Sequence, residues 1–254
     1  MVGLGAISHQ NDDNDGVIGG GSSFPFSAVS LLMSWDGVDG ATTATDDSEH
    51  AHVPTFTGVE IDDAQGVFSE SALFALSTNV HFPNHLVFRI GAQPFCIEGR
   101  VRFSNVSGTQ QLIGLHDTGG SLPRRSWRVV LSNGLGGMYF GSSTDGSSES
   151  LNFLIAPGGE GAGDFVIDTW YAWCFERDDS DVLRGYLNGT MVAKLEGFTD
   201  DLYDLTTKEL VMGENGDGQW DFRGWQDEVR MVLGYAPYAS DGGYSPLAEP
   251  FPRS

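Results

Sequence analysis

Cysteine and basic residues are scarce in this sequence of 254 residues. The two cysteines, Cys96 and Cys174, are too few for a disulfide framework and too far apart for a clustered zinc site. Thirteen basic residues stand against 35 acidic ones, which gives a net charge of -22. Because such a chain repels a phosphate backbone, we expect no nucleic-acid partner.

Long apolar runs and a signal-like start are also missing. No apolar run approaches the roughly 20 residues that a membrane-spanning helix requires. Residues 1–21 lack a basic segment followed by an apolar core, so no secretory signal is visible. We expect synthesis in the cytoplasm and no membrane insertion.

What the sequence does contain is typical of β structure. Glycine contributes 35 residues, and no segment has a long 3.6-residue apolar period. Short runs of β-branched and aromatic residues alternate with turn signals, which predicts an all-β sandwich or barrel. The predicted strands are 30–35, 58–62, 72–77, 95–103, 111–116, 127–132, 137–141, 170–177, 183–187, 190–195, 209–212 and 225–233.

Two local patterns are informative. In 95–103 the odd positions are apolar or glycine and the even ones are mostly charged, so the odd face is predicted to meet the core. Asn188-Gly189 separates two predicted strands, and both residues tolerate positive φ, so a two-residue type I′ hairpin is expected there.

The two ends differ in composition from the middle. Residues 1–28 are rich in Asn, Asp, Gly and Ser and cannot bury enough apolar surface to fold alone, which predicts an extended N-terminal arm. Residues 239–254 contain several prolines, which resist regular structure and predict an extended C-terminal tail. The predicted domain therefore spans 29–238.

Four blocks, in this order, resemble one known family: 31–37 (LLMSWDG), 95–103 (FCIEGRVRF), 169–189 and 222–230 (FRGWQDEVR). They are similar to the laminin G-like, concanavalin A-like domains found in bacteriophage structural proteins. The resemblance implies a two-sheet antiparallel jelly-roll sandwich whose first and last strands pair. It also implies that 95–103 and 170–177 are antiparallel neighbours, which places Cys96 and Cys174 close together as free thiols.

Two functions follow from this resemblance, because such sandwiches serve many roles. The leading hypothesis is a virion structural protein of a bacteriophage, namely a capsid decoration, head-fibre or tail component. Its arm would anchor it to other virion proteins, with assembly into a homo-oligomer, and its location would be the virion. The alternative is a carbohydrate-binding adhesin that recognises host-surface glycans.

An enzymatic role has little support. Residues 60–65 begin like the Glu-x-Asp-x-x-Glu strand of related glycoside hydrolases, but Gln65 stands where the second carboxylate is needed. We therefore expect no catalysis and no required cofactor. His50 and His52 supply two imidazoles, which make an incomplete metal site.

Two kinds of binding site are predicted, and the first lies in the loops. Hard oxygen ligands in glycine-rich loops suit Ca²⁺, although the same residue types also form ordinary turns. The calcium candidates are Asp117, Asp145, Glu214, Asn215 and Asp217. Aromatic side chains suit stacking on sugars, although most fill cores, and the candidates are Trp127, Tyr139 and Trp220. Packing roles are predicted for Trp35, Trp170, Trp173 and Trp225.

Overall fold

A computed structural model describes residues 24–119, 121–157 and 165–253, so most of the predicted N-terminal arm lies outside the described residues. Short 3-10 turns occur at Phe26–Ala28, Leu86–Phe88 and Asn133–Leu135. The strands are β1 Val29–Met33, β2 Thr55–Thr57, β3 Glu60–Asp62, β4 Ser71–Phe74, β5 Asn79–Phe82, β6 Phe95–Phe103, β7 Thr109–His116, β8 Arg125–Ser132, β9 Gly137–Ser142, β10 Leu151–Ile155, β11 Trp170–Arg177, β12 Leu183–Leu187, β13 Thr190–Leu195, β14 Leu210–Met212 and β15 Gly224–Leu233. In this described part, no helix is long and apolar enough to cross a membrane.

The strands form two antiparallel sheets. One has eight strands in the order β13-β12-β11-β6-β15-β4-β3, with β1 also paired to β15. The other has seven strands in the order β10-β9-β8-β7-β14-β5-β2. The predicted two-sheet jelly-roll sandwich is confirmed, and so is the pairing of the first and last strands, in which Leu32 lies opposite Arg230.

The core lies between the two sheets. Phe95, Ile97, Val101 and Phe103 from the odd face of β6 belong to it, as the alternation predicted. The predicted hairpin is also confirmed, because Asn188 and Gly189 have φ values of 50° and 78° between β12 and β13. Of the tryptophans assigned to packing, Trp35 and Trp173 are fully buried, while Trp170 and Trp225 are half-buried.

The C-terminal segment, residues 234–253, contains no strand but packs against the outer face of the eight-stranded sheet. A second apolar cluster joins Tyr238 and Phe251 of this segment to Cys96, Cys174, Tyr186 and Val232 of the sheet, with Phe24 at its edge. The even face of β6, predicted to be the less apolar one, is therefore covered as well.

Buried carboxylates hold the C-terminal segment in place. Glu176 accepts hydrogen bonds from the backbone N–H groups of Tyr238 (3.1 Å) and Ala239 (2.6 Å). Glu98 accepts one from the Tyr238 hydroxyl at 2.7 Å, and Glu228 accepts one from the Phe251 N–H at 2.8 Å. Hydrogen bonds to charged acceptors are among the stronger ones, so the predicted tail is tied to the sandwich.

The two cysteines lie side by side under this segment. Their Sγ atoms are 3.5 Å apart, which confirms the predicted proximity. In the pairing of β6 with β11, Cys96 faces Glu176 and Cys174 faces Glu98. Burial raises the pKa of Cys96 to about 12, so the thiol is a poor nucleophile at neutral pH.

Candidate functional site

One row of paired residues crosses the outer face of the seven-stranded sheet. Residues directly opposite each other in neighbouring strands point to the same side of a sheet. The neighbours of the row lie in the core, for example Val129 beside Arg128 and Phe82 beside His81. From β10 to β2 the row reads Asn152, Gly141, Arg128, Gly114, Val211, His81 and Thr55.

Arg128 lies at the centre of this face, and its environment fixes it there. Its two cross-strand partners are glycines, and a Cβ atom on Gly114 would approach Arg128 Cβ to 2.8 Å. The side chain therefore lies close to the sheet, where its guanidinium forms an ion pair with Glu149. Its Cζ atom is 4.3 Å from the ring centroid of Trp220 and 5.4 Å from that of Tyr139.

Trp220 forms the outermost layer of this cluster. Its ring also stacks on His116, with a centroid distance of 6.2 Å and an interplanar angle of 26°. The backbone holds it from the other side, because the Gln111 N–H donates to the Trp220 carbonyl at 2.8 Å and the residue adopts a φ of 60°. The ring is half-buried, so its position is fixed while part of it stays accessible to solvent.

Burial controls the ionisation of the layer beneath Trp220. It lowers the pKa of Arg128 and of His116, so His116 is neutral at pH 7. Burial alone would raise the pKa of Glu149, but the His116 contact and the charge of Arg128 bring it below its usual value. His116 Nε2 lies 3.5 Å from Glu149 Oε1, whereas His116 Nδ1 and Arg128 Nε and Nη1 have no hydrogen-bond partner among the described residues.

An open cleft of about 370 Å³ adjoins this cluster on the same face of the sheet. Within it, Lys208 pairs with Asp117, and His81 Nδ1 lies 2.8 Å from Glu209 Oε2. The cleft is lined by His81, His116, Asp117, Thr207, Lys208, Glu209, Val211 and Gly216. Closely spaced donors and acceptors beside an aromatic ring suit a ligand that has many hydroxyl groups and an apolar face.

The three aromatic residues predicted to contact sugars have different environments. Trp127 points into the core, is fully buried, and donates its indole N–H to the Phe88 carbonyl at 2.8 Å. This position argues against a sugar contact. Tyr139 lies on the outer face but is only 4% exposed beneath Arg128. Trp220, the third predicted residue, has a half-buried ring that is partly accessible to solvent beside the cleft.

Four of the predicted calcium ligands lie in two adjoining loops at the rim of this face. Asp117 Oδ1 accepts from the Gly119 N–H at 2.7 Å, and Asp217 Oδ2 accepts from the Thr118 hydroxyl at 2.9 Å. The Asn215 amide donates to the same hydroxyl, also at 2.9 Å.

Glu214, beside them in sequence, turns toward His81 Nε2, which lies 3.8 Å from its Oε1. Burial raises the pKa of Glu214. Asp145 is apart from this group, because its carboxylate accepts hydrogen bonds from Ser147 and Ser148 of its own loop. Calcium binding stays a prediction.

The hydrolase-like segment has structural contacts on the other sheet. Asp62 Oδ2 accepts a hydrogen bond from the Trp225 indole N–H at 2.7 Å, and Gln65 accepts one from Arg102. Asp62 therefore positions a tryptophan on the outer face of the eight-stranded sheet.

Sequence reasoning did not find Arg128, His116, His81 or Lys208 as members of one site. None lies in a recognisable motif, and they come from separate parts of the chain. The available signal was alternation: Arg128 falls between Trp127 and Val129, and both of these are core residues.

Several solved structures with a similar architecture are binding domains of toxins. The binding domain of Paraclostridial Mosquitocidal Protein 1 superposes with a TM-score of 0.60 at 12% identity, over 82% of this chain and 49% of that one. The binding domain of botulinum neurotoxin serotype G gives a TM-score of 0.59 at 12% identity, over 80% and 47%. The chain thus spans about half the length of these domains.

A third structure matches over nearly its whole length. It is domain 4 of AbnA, a GH43 extracellular arabinanase from Geobacillus stearothermophilus, in complex with arabinotriose. The TM-score is 0.57 at 17% identity, over 81% of this chain and 92% of that domain. At these identities the likeness shows a shared fold.

No curated protein matches this sequence. The profile of one family does match, over residues 75–233, which is more than half of the chain. The matched region runs from β5 to the end of β15 and so includes Arg128, His116, Trp220 and the lining of the cleft. The chain belongs to the laminin G branch of the concanavalin A-like lectin/glucanases superfamily.

Proposed function

We propose that this protein is a non-catalytic carbohydrate-binding domain that recognises host-surface glycans at the cleft beside Trp220. The observation that carries this proposal is the fixed, half-exposed Trp220 ring, held by Arg128 and His116 next to a polar cleft. A ring fixed before binding loses little conformational freedom when a sugar stacks on it. The cleft residues then supply hydrogen bonds to sugar hydroxyls.

The shared fold supports this role. Domain 4 of AbnA was solved with arabinotriose, and the toxin structures are described as binding domains. Proteins that share this fold therefore include domains that bind other molecules. For this chain, the lack of a second carboxylate after Glu60 and Asp62 argues against hydrolysis of the bound glycan.

The test is a titration with oligosaccharides, read by tryptophan fluorescence and calorimetry. We expect wild-type protein to bind at least one oligosaccharide. Trp220→Ala should weaken that binding by about 2 kcal/mol or more, as for an aromatic residue that dominates a binding surface. The matched control is Trp225→Ala. Trp225 is also half-buried and stacked against an arginine, Arg102 at 4.6 Å, but lies on the other sheet.

Two results would contradict the proposal. If no oligosaccharide of a broad panel binds, the domain does not recognise carbohydrate. If Trp225→Ala abolishes binding and Trp220→Ala does not, the binding surface lies on the eight-stranded sheet. Circular dichroism of each variant checks that the β fold is retained.

We further infer that the domain is carried on a bacteriophage particle as a capsid decoration, head-fibre or tail component. The supporting observation is that Phe24, the first described residue, and the C-terminal segment meet on one face. Arg230 Cζ lies 5.4 Å from the Phe24 ring and 3.9 Å from the Phe251 ring, on the outer face of the eight-stranded sheet. The cleft lies on the opposite face, so an arm attached to other virion proteins would leave it accessible.

Deletion of residues 1–22 tests the virion role. The cut precedes Phe24, which is only 5% exposed and packs on the sheet. The truncated protein should keep its β circular-dichroism signal and fail to incorporate into particles. Mass spectrometry of purified particles gives the copy number: hundreds of copies would indicate a capsid lattice, and a few to tens a tail. Normal incorporation of the truncated protein would contradict anchoring by the arm.

A further inference from the structure

Carboxylates outnumber cationic groups around the cleft on the seven-stranded sheet. The lining includes two carboxylates, Asp117 and Glu209, and one ammonium group, Lys208. Glu214 adds a third carboxylate, whose Oε1 lies 3.8 Å from Nε2 of His81 in the lining. The sum of these charges is negative whether His81 is neutral or protonated, because three negative charges face one or two positive charges.

Further acidic residues stand behind this group. Burial raises the pKa of Glu214, and the charges of Asp221 and Asp217 add to this shift, so both carboxylates lie near it. The chain as a whole has a net charge of -22. Charge of one sign around a cleft focuses the electric field there, which lowers the local concentration of ligands with the same sign.

Both cationic side chains of the lining already have carboxylate partners. Lys208 Nζ pairs with Asp117 Oδ2. His81 lies between two carboxylates, with Nδ1 2.8 Å from Glu209 Oε2 and Nε2 on the side of Glu214. An anionic ligand would therefore have to displace a carboxylate of the protein before it could pair with either group.

The arginines beneath Trp220 do not compensate for this deficit. Arg128 forms its ion pair with Glu149, and its Nε and Nη1 atoms are buried. The rings of Trp220 and Tyr139 lie against the guanidinium, at 4.3 and 5.4 Å. The charge of Arg125 also acts on Glu149, where it helps to lower the pKa of that carboxylate. A ligand in the cleft therefore meets no guanidinium that could hold a carboxylate or a sulfate in two parallel hydrogen bonds.

The same carboxylates suit an uncharged sugar. A carboxylate only accepts hydrogen bonds, and a sugar hydroxyl both donates and accepts them. Hydroxyl groups can therefore donate to Asp117 and Glu209 and accept from Lys208, while the apolar face of the ring stacks on Trp220. An amino group on the sugar would add a cation that the cleft favours.

We propose that the cleft selects glycans that carry no negative charge, namely neutral and amino sugars, and rejects uronic, sialylated and sulfated ones. This inference rests on the proposed carbohydrate-binding function and names its class of ligand. Like charges that face each other across a binding surface suppress the wrong partner. An acidic sugar should therefore bind about tenfold or more weakly than its neutral counterpart.

The test compares matched oligosaccharides by calorimetry. The pairs are lactosamine with sialyllactosamine, and oligogalactose with oligogalacturonate, and the set of equal length is cello-oligosaccharide, cellouronate and chitosan oligomer. We expect at least one neutral or amino member to bind and its acidic counterpart to bind about tenfold or more weakly. Added salt should strengthen the binding of the acidic member, because mobile ions screen repulsion, whereas rejection by shape would not respond to salt.

A charge variant locates the source of the selectivity. Glu209→Gln removes one negative charge from the cleft and keeps an acceptor for His81. It should narrow the ratio of the acidic and neutral dissociation constants by about threefold or more. The matched control is Glu60→Gln, which removes the same charge from an exposed position on β3 of the other sheet and should leave the ratio unchanged.

The outcomes separate this inference from the proposed function. If no oligosaccharide of the set binds, both are wrong. If an acidic member binds as tightly as its neutral counterpart, or more tightly, the cleft does bind carbohydrate but does not select against negative charge. Equal narrowing by Glu60→Gln and Glu209→Gln would also overturn the inference, because the selectivity would then come from the net charge of the chain.

Discussion

Asp227 is a buried carboxyl group whose ionisation destabilises the folded state. It is 1% exposed on β15, and its Oδ2 accepts a hydrogen bond from the Val67 N–H at 2.8 Å. Burial raises its pKa from an ordinary 3.8 to about 7, the Val67 hydrogen bond opposes the shift, and the charge of Glu228 adds to it. Replacing Asp227 with Asn keeps a carbonyl acceptor of nearly the same shape and removes the charge.

The pKa values determine how this substitution depends on pH. Because the folded pKa lies above the unfolded one, the stability that Asp227 contributes is full below pH 3.8 and is lost as the pH rises through about 7. With about 1.36 kcal/mol per pKa unit, the cost in the wild type is about 2 kcal/mol at pH 5.5 and about 4 kcal/mol at pH 8. Asp227→Asn has no carboxylate to ionise and therefore lacks this destabilisation. The difference in free energy of unfolding between Asp227→Asn and wild type should rise by about 2 kcal/mol from pH 5.5 to pH 8.

Urea denaturation at pH 5.5 and pH 8 measures the difference, both values being above the sequence pI of about 4.3. Asp179→Asn is the control, since it removes an exposed carboxylate and should change stability by the same small amount at both pH values. A constant difference between Asp227→Asn and wild type would refute the reasoning, because a change in packing alone does not depend on pH. Lower stability of Asp227→Asn at pH 8 than at pH 5.5, relative to wild type, would refute it as well.

Three further predictions concern the C-terminal segment, the thiols and catalysis. Deletion of residues 235–254 should lower the free energy of unfolding, measured in urea, by several kcal/mol, since burial of Phe251 alone is worth about 1.5–3 kcal/mol. An unchanged midpoint of urea denaturation would show that the segment does not stabilise the sandwich. A thiol reagent should detect two free thiols per unfolded chain, and finding none would establish a disulfide. In the native state the reagent should react faster with the deletion variant, because Cys96 and Cys174 are then no longer covered by the C-terminal segment. Wild type and Glu60→Gln should both release no reducing ends from polysaccharides.

Strand prediction succeeded where the sequence alternates over several residues or ends at a clear turn. The bounds of β6, β11, β12 and β13 agree with the predicted ones. The strands that were missed, β2, β5 and β10, have at most five residues. β5 pairs with β2 and β14, which are distant in sequence, and β10 pairs with β9 across a loop rich in serine. Such short runs carry little local signal.

The candidate site was predicted by residue type and not by position. Trp127 and Trp220 are equal candidates by composition, but Trp127 alternates in phase with the core residues Val129 and Leu131, which places it inside. That phase was available in the sequence. The contact of Trp220 with Arg128 was not, because it joins the segment before β15 to β8, which is distant in sequence.

The C-terminal segment shows how a proline-rich stretch can be both irregular and firmly bound. Two of its anchors have the same local sequence, proline followed by an aromatic residue: Pro237-Tyr238 and Pro250-Phe251. In each, the ring enters the apolar cluster, and the N–H that follows the proline donates to a buried carboxylate, Glu176 for Tyr238 and Glu228 for Phe251. Proline removes a donor and restricts its own backbone, so fewer N–H groups need partners and less conformational entropy is lost on docking. The prolines that predicted an extended tail therefore also explain why this segment can bind flat against the sheet.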